Sequence, residues 1–102
     1  MNLVVSKGAQ ATDMYTCKAT LNAPTELPEG ATLVSADVEL SVEGEDEPLH
    51  VWNDVTAFPL SINVPNIEGY SSGTITIVWT FIDASGVEQA RVQESGIAFI
   101  KQ

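Results

Sequence analysis

The clearest pattern in the chain is an alternation of threonine with large apolar residues between Thr74 and Ile82. Successive side chains of a strand point to opposite faces, so this run predicts a strand with one buried and one exposed side. The apolar positions predicted to face the core are Ile75, Ile77, Trp79 and Phe81. The run ends at Asp83-Ala84-Ser85-Gly86, whose residue types favour a hairpin turn. The segment therefore predicts one half of a β-hairpin.

A second alternating run extends from Leu33 to Glu43, and shorter runs between turn residues predict further strands. The predicted shorter strands are Leu3–Ser6, Met14–Asn22, Leu49–Asn53, Phe58–Val64, Val87–Glu94 and Ile97–Lys101. Pro28-Glu29-Gly30 is predicted as a type I turn with glycine at its last position. About seven or eight short strands with turn signals between them predict an all-β protein, a two-layer antiparallel β-sandwich.

The inward positions of these strands define a predicted core. It consists of Val34, Ala36, Val38, Leu40, Leu60, Ile62, Ile75, Ile77, Trp79, Phe81, Ala90 and Val92. Ala90 and Val92 belong to it because the predicted hairpin register pairs the two residues that flank Asp83–Gly86, which sets small residues opposite large ones. A slip by one residue would instead place Arg91 and Gln93 on the apolar face, at a cost in desolvation.

Length and charge narrow the functional classes. A chain of 102 residues is long enough for one core, so residues 1–102 are predicted to form a single β-sandwich domain. Lys and Arg number 4 and Asp and Glu number 14, which gives a net charge of −10. Phosphate binding depends on clustered basic residues, so we expect no binding to nucleic acid or to anionic membranes. The charge favours solubility, and it also allows a basic partner.

The segment Met1–Gly8 does not have the basic region and apolar stretch of a signal peptide. No window approaches the roughly 20 apolar residues of a transmembrane helix. The expected location is therefore cytoplasmic or virion-associated. Cys17 is the one cysteine, which excludes an internal disulfide and predicts a small buried apolar side chain.

The sequence lacks the constellations that enzymes need. His50 is the one histidine, so a hydrolase nucleophile would have this single candidate base. One His and one Cys are too few to form a tetrahedral zinc site. Nucleotide-binding glycine motifs are also missing. We expect no catalytic activity and no cofactor.

Two clusters are candidate sites of another kind. An acidic loop formed by Glu43, Glu45, Asp46 and Glu47 is a candidate weak cation site, although it lacks the spacing of a known calcium motif and also fits a solvated hairpin tip. Trp52 is a candidate partner contact together with His50 and Phe58, because tryptophan is enriched at binding hot spots.

The segment Gly73–Gly86 resembles the late hairpin of immunoglobulin-like (Ig-like) modules, in which a long alternating strand ends in an Asp-x-x-Gly turn. In size, charge and fold class the chain is also similar to small accessory proteins of tailed bacteriophages, such as head-decoration or baseplate proteins. The resemblance implies a structural protein, without enzymatic activity, that binds a larger assembly.

Three functional hypotheses follow. The first is a virion-associated accessory protein that docks on a protein assembly or on further copies of itself. The second is an acidic inhibitor or regulator that mimics a polyanion, and the third is a carbohydrate-binding module that uses Trp52. Mimicry should weaken steeply with salt, whereas glycan binding needs an exposed aromatic ring.

Overall fold

The computed structural model describes residues 14–102, and every regular element in that range is a strand. The predicted strand Leu3–Ser6 lies outside the described residues. The elements are β1 (Met14–Leu21), β2 (Thr32–Ser41), β3 (His50–Val55), β4 (Leu60–Glu68), β5 (Ser72–Ile82), β6 (Glu88–Ala98) and β7 (Ile100–Lys101).

The strands form two antiparallel sheets of unequal width. The order is β4-β1-β7 in the smaller sheet and β3-β2-β5-β6 in the larger one. The apolar faces of the two sheets pack against each other, which confirms the predicted two-layer antiparallel β-sandwich. Sequence neighbours β5 and β6 form the predicted hairpin.

The core lies between the two sheets and is built mainly from the inward positions of β2 and β5. Ala36, Val38 and Leu40 have no exposed surface, and Trp79 is 2% exposed. Cys17 is buried in the same cluster, as expected, and burial raises the pKa of its thiol. Leu60 is half-buried and packs against this cluster.

The prediction that Val34 faces the core is wrong, because its side chain is 42% exposed. The pairing of β2 with β5 shifts between Leu33 and Ser35, so β2 carries one extra residue there. Such a β-bulge reverses the phase of alternation at one end of a strand. As a result Leu33 packs against the core instead of Val34.

The predicted register of the β5–β6 hairpin is also wrong by one residue. Trp79 pairs with Arg91, and Ile77 pairs with Gln93. The Gly86 N–H donates to the Asp83 carbonyl, and the Asp83 N–H donates to the Val87 carbonyl, both over 2.9 Å. Gly86 is left-handed, with φ +83°, and the turn closes on Asp83 and Val87, so Ile82 pairs with Glu88 and not with Val87.

Ala90 and Val92 therefore point away from the core, and Val92 is 63% exposed. Arg91 and Gln93 lie on the inner face without the expected desolvation cost, because each side chain makes a polar contact there. The Gln93 side-chain oxygen accepts a hydrogen bond of 3.1 Å from the Trp79 indole N–H. The Arg91 guanidinium lies 5.7 Å from the centre of the Phe81 ring and donates to a loop carbonyl.

Two smaller predictions also need correction. Gly30 occupies the third position of a turn closed by the Ala31 N–H and the Pro28 carbonyl, and its φ of +81° fits a type II turn, not type I. The predicted strands Val87–Glu94 and Ile97–Lys101 are not separated at Gly96, since β6 continues through this residue and the chain changes sheets at the buried Phe99.

Replacing Leu40 by alanine should lower the free energy of unfolding by about 2–5 kcal/mol, because it leaves a cavity in the core. Thr76→Ala, on the opposite face of the larger sheet, should change it by less than about 0.5 kcal/mol. Urea unfolding of both variants measures the difference. Equal losses in the two variants would contradict the assignment of inner and outer faces.

Protonation of Asp83 should destabilise the folded protein at low pH. Hydrogen bonds from the Val87 backbone and from the Gln89 side chain lower the pKa of the Asp83 carboxyl. Because the pKa is lower in the folded state, Asp83 contributes to the free energy of unfolding above its ordinary pKa of 3.8. This contribution is lost as the pH falls through the pKa of the folded state. The stability of Asp83→Asn, measured by unfolding at a series of acidic pH values, should lack this pH-dependent contribution. The same pH dependence of stability in the variant and in the unmodified protein would contradict the prediction.

Candidate interaction surface

Strand β6 forms an exposed edge of the larger sheet. It pairs with β5 along its 11 residues without a register shift, and no described strand pairs with its other side. All of its side chains except Ile97 are exposed. Within residues 14–102, the structure therefore presents a long, regular strand whose outer backbone groups are open to a partner.

Hydrogen bonds at the two ends of the hairpin define which β6 residues point outward. The Asp83 N–H donates to Val87, and the Phe99 N–H donates to Ser71, so odd-numbered residues of β6 face β5. In an antiparallel ladder the direction of the backbone groups alternates from one residue to the next. The N–H and C=O groups of Ala90, Val92 and Glu94 therefore point away from the sheet.

The edges of β3 and β4 differ from that of β6 because each is interrupted. In β3, Asp54 has φ +53° at a bulge, where its N–H donates to the Asp37 carboxylate over 2.9 Å. In β4, Pro65 and the left-handed Asn66 lie at a second bulge. Bulges and prolines are ordinary means of preventing an edge strand from pairing with another chain. Strand β6 contains neither.

An apolar groove of about 250 Å³ opens between β1 and β6, beside this edge. Ala19 and Leu21 of β1, Ile75 and Ile77 of β5, and Gln93 and Ile97 of β6 line it. The groove exists because β7, which lies next to β1, has two residues and pairs with Tyr15 and Thr16. The larger sheet thus extends past the strands that cover it.

The predicted partner-contact residues do not form one exposed patch. Trp52 is half-buried and packs against the core, where it pairs with Val38. His50 is exposed and lies against Trp52, with ring centres 4.4 Å apart. Phe58 is half-buried with its ring centre 5.6 Å from that of Trp79. The structure therefore brings His50 and Trp52 together and places Phe58 against the core.

The acidic loop lies at the tip of the β2–β3 hairpin, where Glu43, Glu45, Asp46 and Glu47 are exposed. Glu45 accepts a hydrogen bond of 2.6 Å from the Tyr70 hydroxyl, which links this tip to the β4–β5 loop. Within residues 14–102, no three His, Cys, Asp or Glu side chains are close enough together to hold a metal ion.

The sequence prediction did not identify β6 as a candidate surface, although its composition carries a signal. One face of the strand contributes Gln89, Arg91, Gln93 and Ser95, and the other contributes Glu88, Ala90, Val92 and Glu94. Neither series is apolar, whereas β2 and β5 each have one apolar series. A strand without an apolar face is typical of a position that the opposite sheet does not cover.

Comparisons with protein-family models, with curated proteins and with solved structures found no match. No helix in the described range is long and apolar enough to cross a membrane.

The contact between Glu45 and Tyr70 can be tested by titration. The hydrogen bond to Glu45 raises the pKa of the Tyr70 hydroxyl, because the neutral hydroxyl donates to the carboxylate. In a Tyr15→Phe background, Glu45→Gln should move the ultraviolet titration of Tyr70 to lower pH. The matched change Asp46→Asn should leave it in place, and a shift of equal size in both variants would contradict a specific contact.

Proposed function

We propose that this protein is a non-enzymatic interaction module that docks on a larger protein assembly through the outer edge of β6. The observation that supports the proposal is the regular, uninterrupted edge of β6, with Ala90, Val92 and Glu94 directing their backbone groups outward. An extended segment of a partner would pair with this edge and continue the larger sheet. Val87 and Val92, which are 53% and 63% exposed, would add apolar contacts.

The net charge of −10 supports the same function. Like charge keeps copies of a protein apart in solution, so an open strand edge is protected from unselective pairing. A partner held by backbone hydrogen bonds and apolar contacts should remain bound when salt screens the charges, since the Debye length is about 4 Å at 0.5 M. A polyanion mimic would lose its basic partner under the same conditions.

The finer hypotheses stay predictions. A virion-associated accessory protein and an Ig-like module are forms of this proposal that rest on size, charge and the Gly73–Gly86 segment. The glycan-binding hypothesis has less support, because Trp52 packs against the core and has less of its ring available for stacking on a sugar.

A proline substitution tests the proposed edge. Val92→Pro removes an N–H that points away from β5, so the β5–β6 ladder keeps its hydrogen bonds. With the tagged protein purified from its native host, we expect a partner in fixed ratio that is retained in 0.5 M salt. Val92→Pro should reduce it at least about 10-fold, since one backbone donor is lost and the proline ring obstructs the incoming strand. Circular dichroism should show the same fold in both proteins.

The matched control is Val92→Ala, which keeps the backbone N–H and removes apolar surface. It should retain more of the partner than the proline variant does. A partner that dissociates in 0.5 M salt and binds the proline variant normally would contradict the proposal and favour the acidic mimic. Turnover of a substrate by the purified protein would also contradict it.

A further inference from the structure

The outer face of β6 has an apolar centre between two carboxylates. Ala90 and Val92 form this centre, and both are exposed. Glu88 and Glu94 lie at its two ends, six residues apart, and are exposed as well. On β5, Val78 pairs with Val92 and extends the apolar centre across the sheet. The edge of β6 therefore presents charged and apolar side chains in a fixed order beside its outward backbone groups.

The neighbouring strands make the same face of the larger sheet acidic. In β2, Asp37 pairs with Val78 and Glu39 pairs with Thr76, so both carboxylates lie on the outer face. Within residues 14–102, the basic side chains lie elsewhere, in β1, in β7 and on the inner face of β6: Lys18, Lys101 and Arg91. A strand that approaches this face of β6 therefore meets negative charge that no basic residue of the described face neutralises.

We propose that the segment docked on β6 is an extended strand of another protein with the pattern basic-x-apolar-x-apolar-x-basic. This inference rests on the proposed docking at β6 and specifies its partner. In an antiparallel pair, residues directly opposite each other share a face and have their Cβ atoms about 5 Å apart. The four outer-face positions of the partner lie opposite Glu94, Val92, Ala90 and Glu88 in turn. Opposite charges in such pairs stabilise the pairing, and like charges destabilise it.

The middle residue of the partner segment lies on the inner face, opposite Arg91. The Arg91 side chain is exposed and donates a hydrogen bond of 2.9 Å to the Glu26 carbonyl. A guanidinium carries five N–H donors, so Arg91 can bind a carboxylate of the partner and keep this contact. The favoured pattern is therefore basic-x-apolar-acidic-apolar-x-basic.

The charges select the partner, whereas the backbone holds it. Hydrogen bonds to the outward groups of Ala90, Val92 and Glu94 are available to any extended segment, so they supply affinity without selectivity. Charge pairs at an exposed edge contribute less to affinity and are screened by salt, but they distinguish one segment from another. A selected partner should therefore stay bound at high salt, while the preference for its charges declines.

A second copy of this chain does not fit the pattern. The pattern needs two basic residues six positions apart, and no two of the four Lys and Arg residues in the sequence have this separation. A second copy also carries a net charge of −10, which opposes its approach. The segment therefore belongs to a different protein.

Two synthetic peptides with capped ends test the proposal by NMR titration of the full chain. One is Thr-Lys-Thr-Val-Asp-Val-Thr-Lys-Thr, and the other is its charge-reversed form, Thr-Glu-Thr-Val-Lys-Val-Thr-Glu-Thr. The first should shift the amide signals of Ala90, Val92 and Glu94. In about 0.05 M salt it should bind at least about 10-fold more tightly than the second, because three opposite-charge pairs replace three like-charge pairs. In about 0.5 M salt the ratio should fall below about 3-fold.

Matched double variants separate the edge charges from the net charge. Glu88→Lys with Glu94→Lys should reverse the preference between the two peptides, since the exposed ends of the edge become basic. Glu47→Lys with Glu68→Lys makes the same change in net charge at exposed positions away from β6, and it should keep the original preference. Circular dichroism should show the same fold in both double variants.

Equal binding of the two peptides at β6 in about 0.05 M salt would overturn this inference and leave the proposed docking function in place. A preference that both double variants reverse would also overturn it, by assigning the effect to net charge. Absence of binding by both peptides would overturn it as well. The proposed function fails by a separate result, normal binding of the host partner by Val92→Pro.

Discussion

The structure depends on the unequal width of its two sheets. In a two-layer sandwich, a strand buries its inner face only where the opposite sheet covers it. The larger sheet has four full strands, whereas the third strand of the smaller sheet, β7, has two residues. The inner face of β6 therefore cannot be buried like that of β5. The polar composition of β6 and the groove beside it both follow from this difference.

The turn at Asp83 is the local device that fits β6 to its position. The Asp83 side chain accepts hydrogen bonds from the Ser85 and Val87 backbone and from Gln89, so one carboxylate organises the whole turn. The left-handed Gly86 adds the residue that moves Arg91 and Gln93 to the inner face. On that face Arg91 contacts Phe81 and Gln93 contacts Trp79, the two aromatic residues on the inner face of β5. The rim of the core is thus polar, and both polar side chains make specific contacts there.

The parts of the fold that were predictable are those where periodicity is continuous. The alternation in β2 and β5 correctly predicts which residues are buried, because burial against a sheet requires a period of two. These residues are Ala36, Val38 and Leu40 of β2 and Ile75, Ile77, Trp79 and Phe81 of β5. The predicted burial of Val34 is wrong because a bulge reverses the inward and outward alternation of β2 at that point, and no residue type in the sequence marks the bulge. The predicted hairpin register is wrong because it requires a buried inner face for β6, and burial of that face depends on the distant β7.

The same limit applies to the candidate surface. Residues two apart in a strand share a face, so His50 and Trp52 lie on the same side of β3, and the structure places their rings in contact. Whether that face was buried could not be decided from β3 alone, because it depends on the pairing of Trp52 with Val38 across the sheet. The edge of β6 is likewise a property of strand order, which is determined by non-local pairing and not by the sequence of the strand itself.

The most direct test of the unequal sandwich is the pattern of amide hydrogen exchange along β6 in the isolated protein. We expect alternation: the odd-numbered amides of Gln89, Arg91 and Gln93, which bond to β5, should exchange slowly. The even-numbered amides of Ala90, Val92 and Glu94 should exchange at rates close to those of an unstructured peptide. Uniform protection of all six amides would contradict the unequal sandwich, because it would mean that another strand already covers the outer edge of β6.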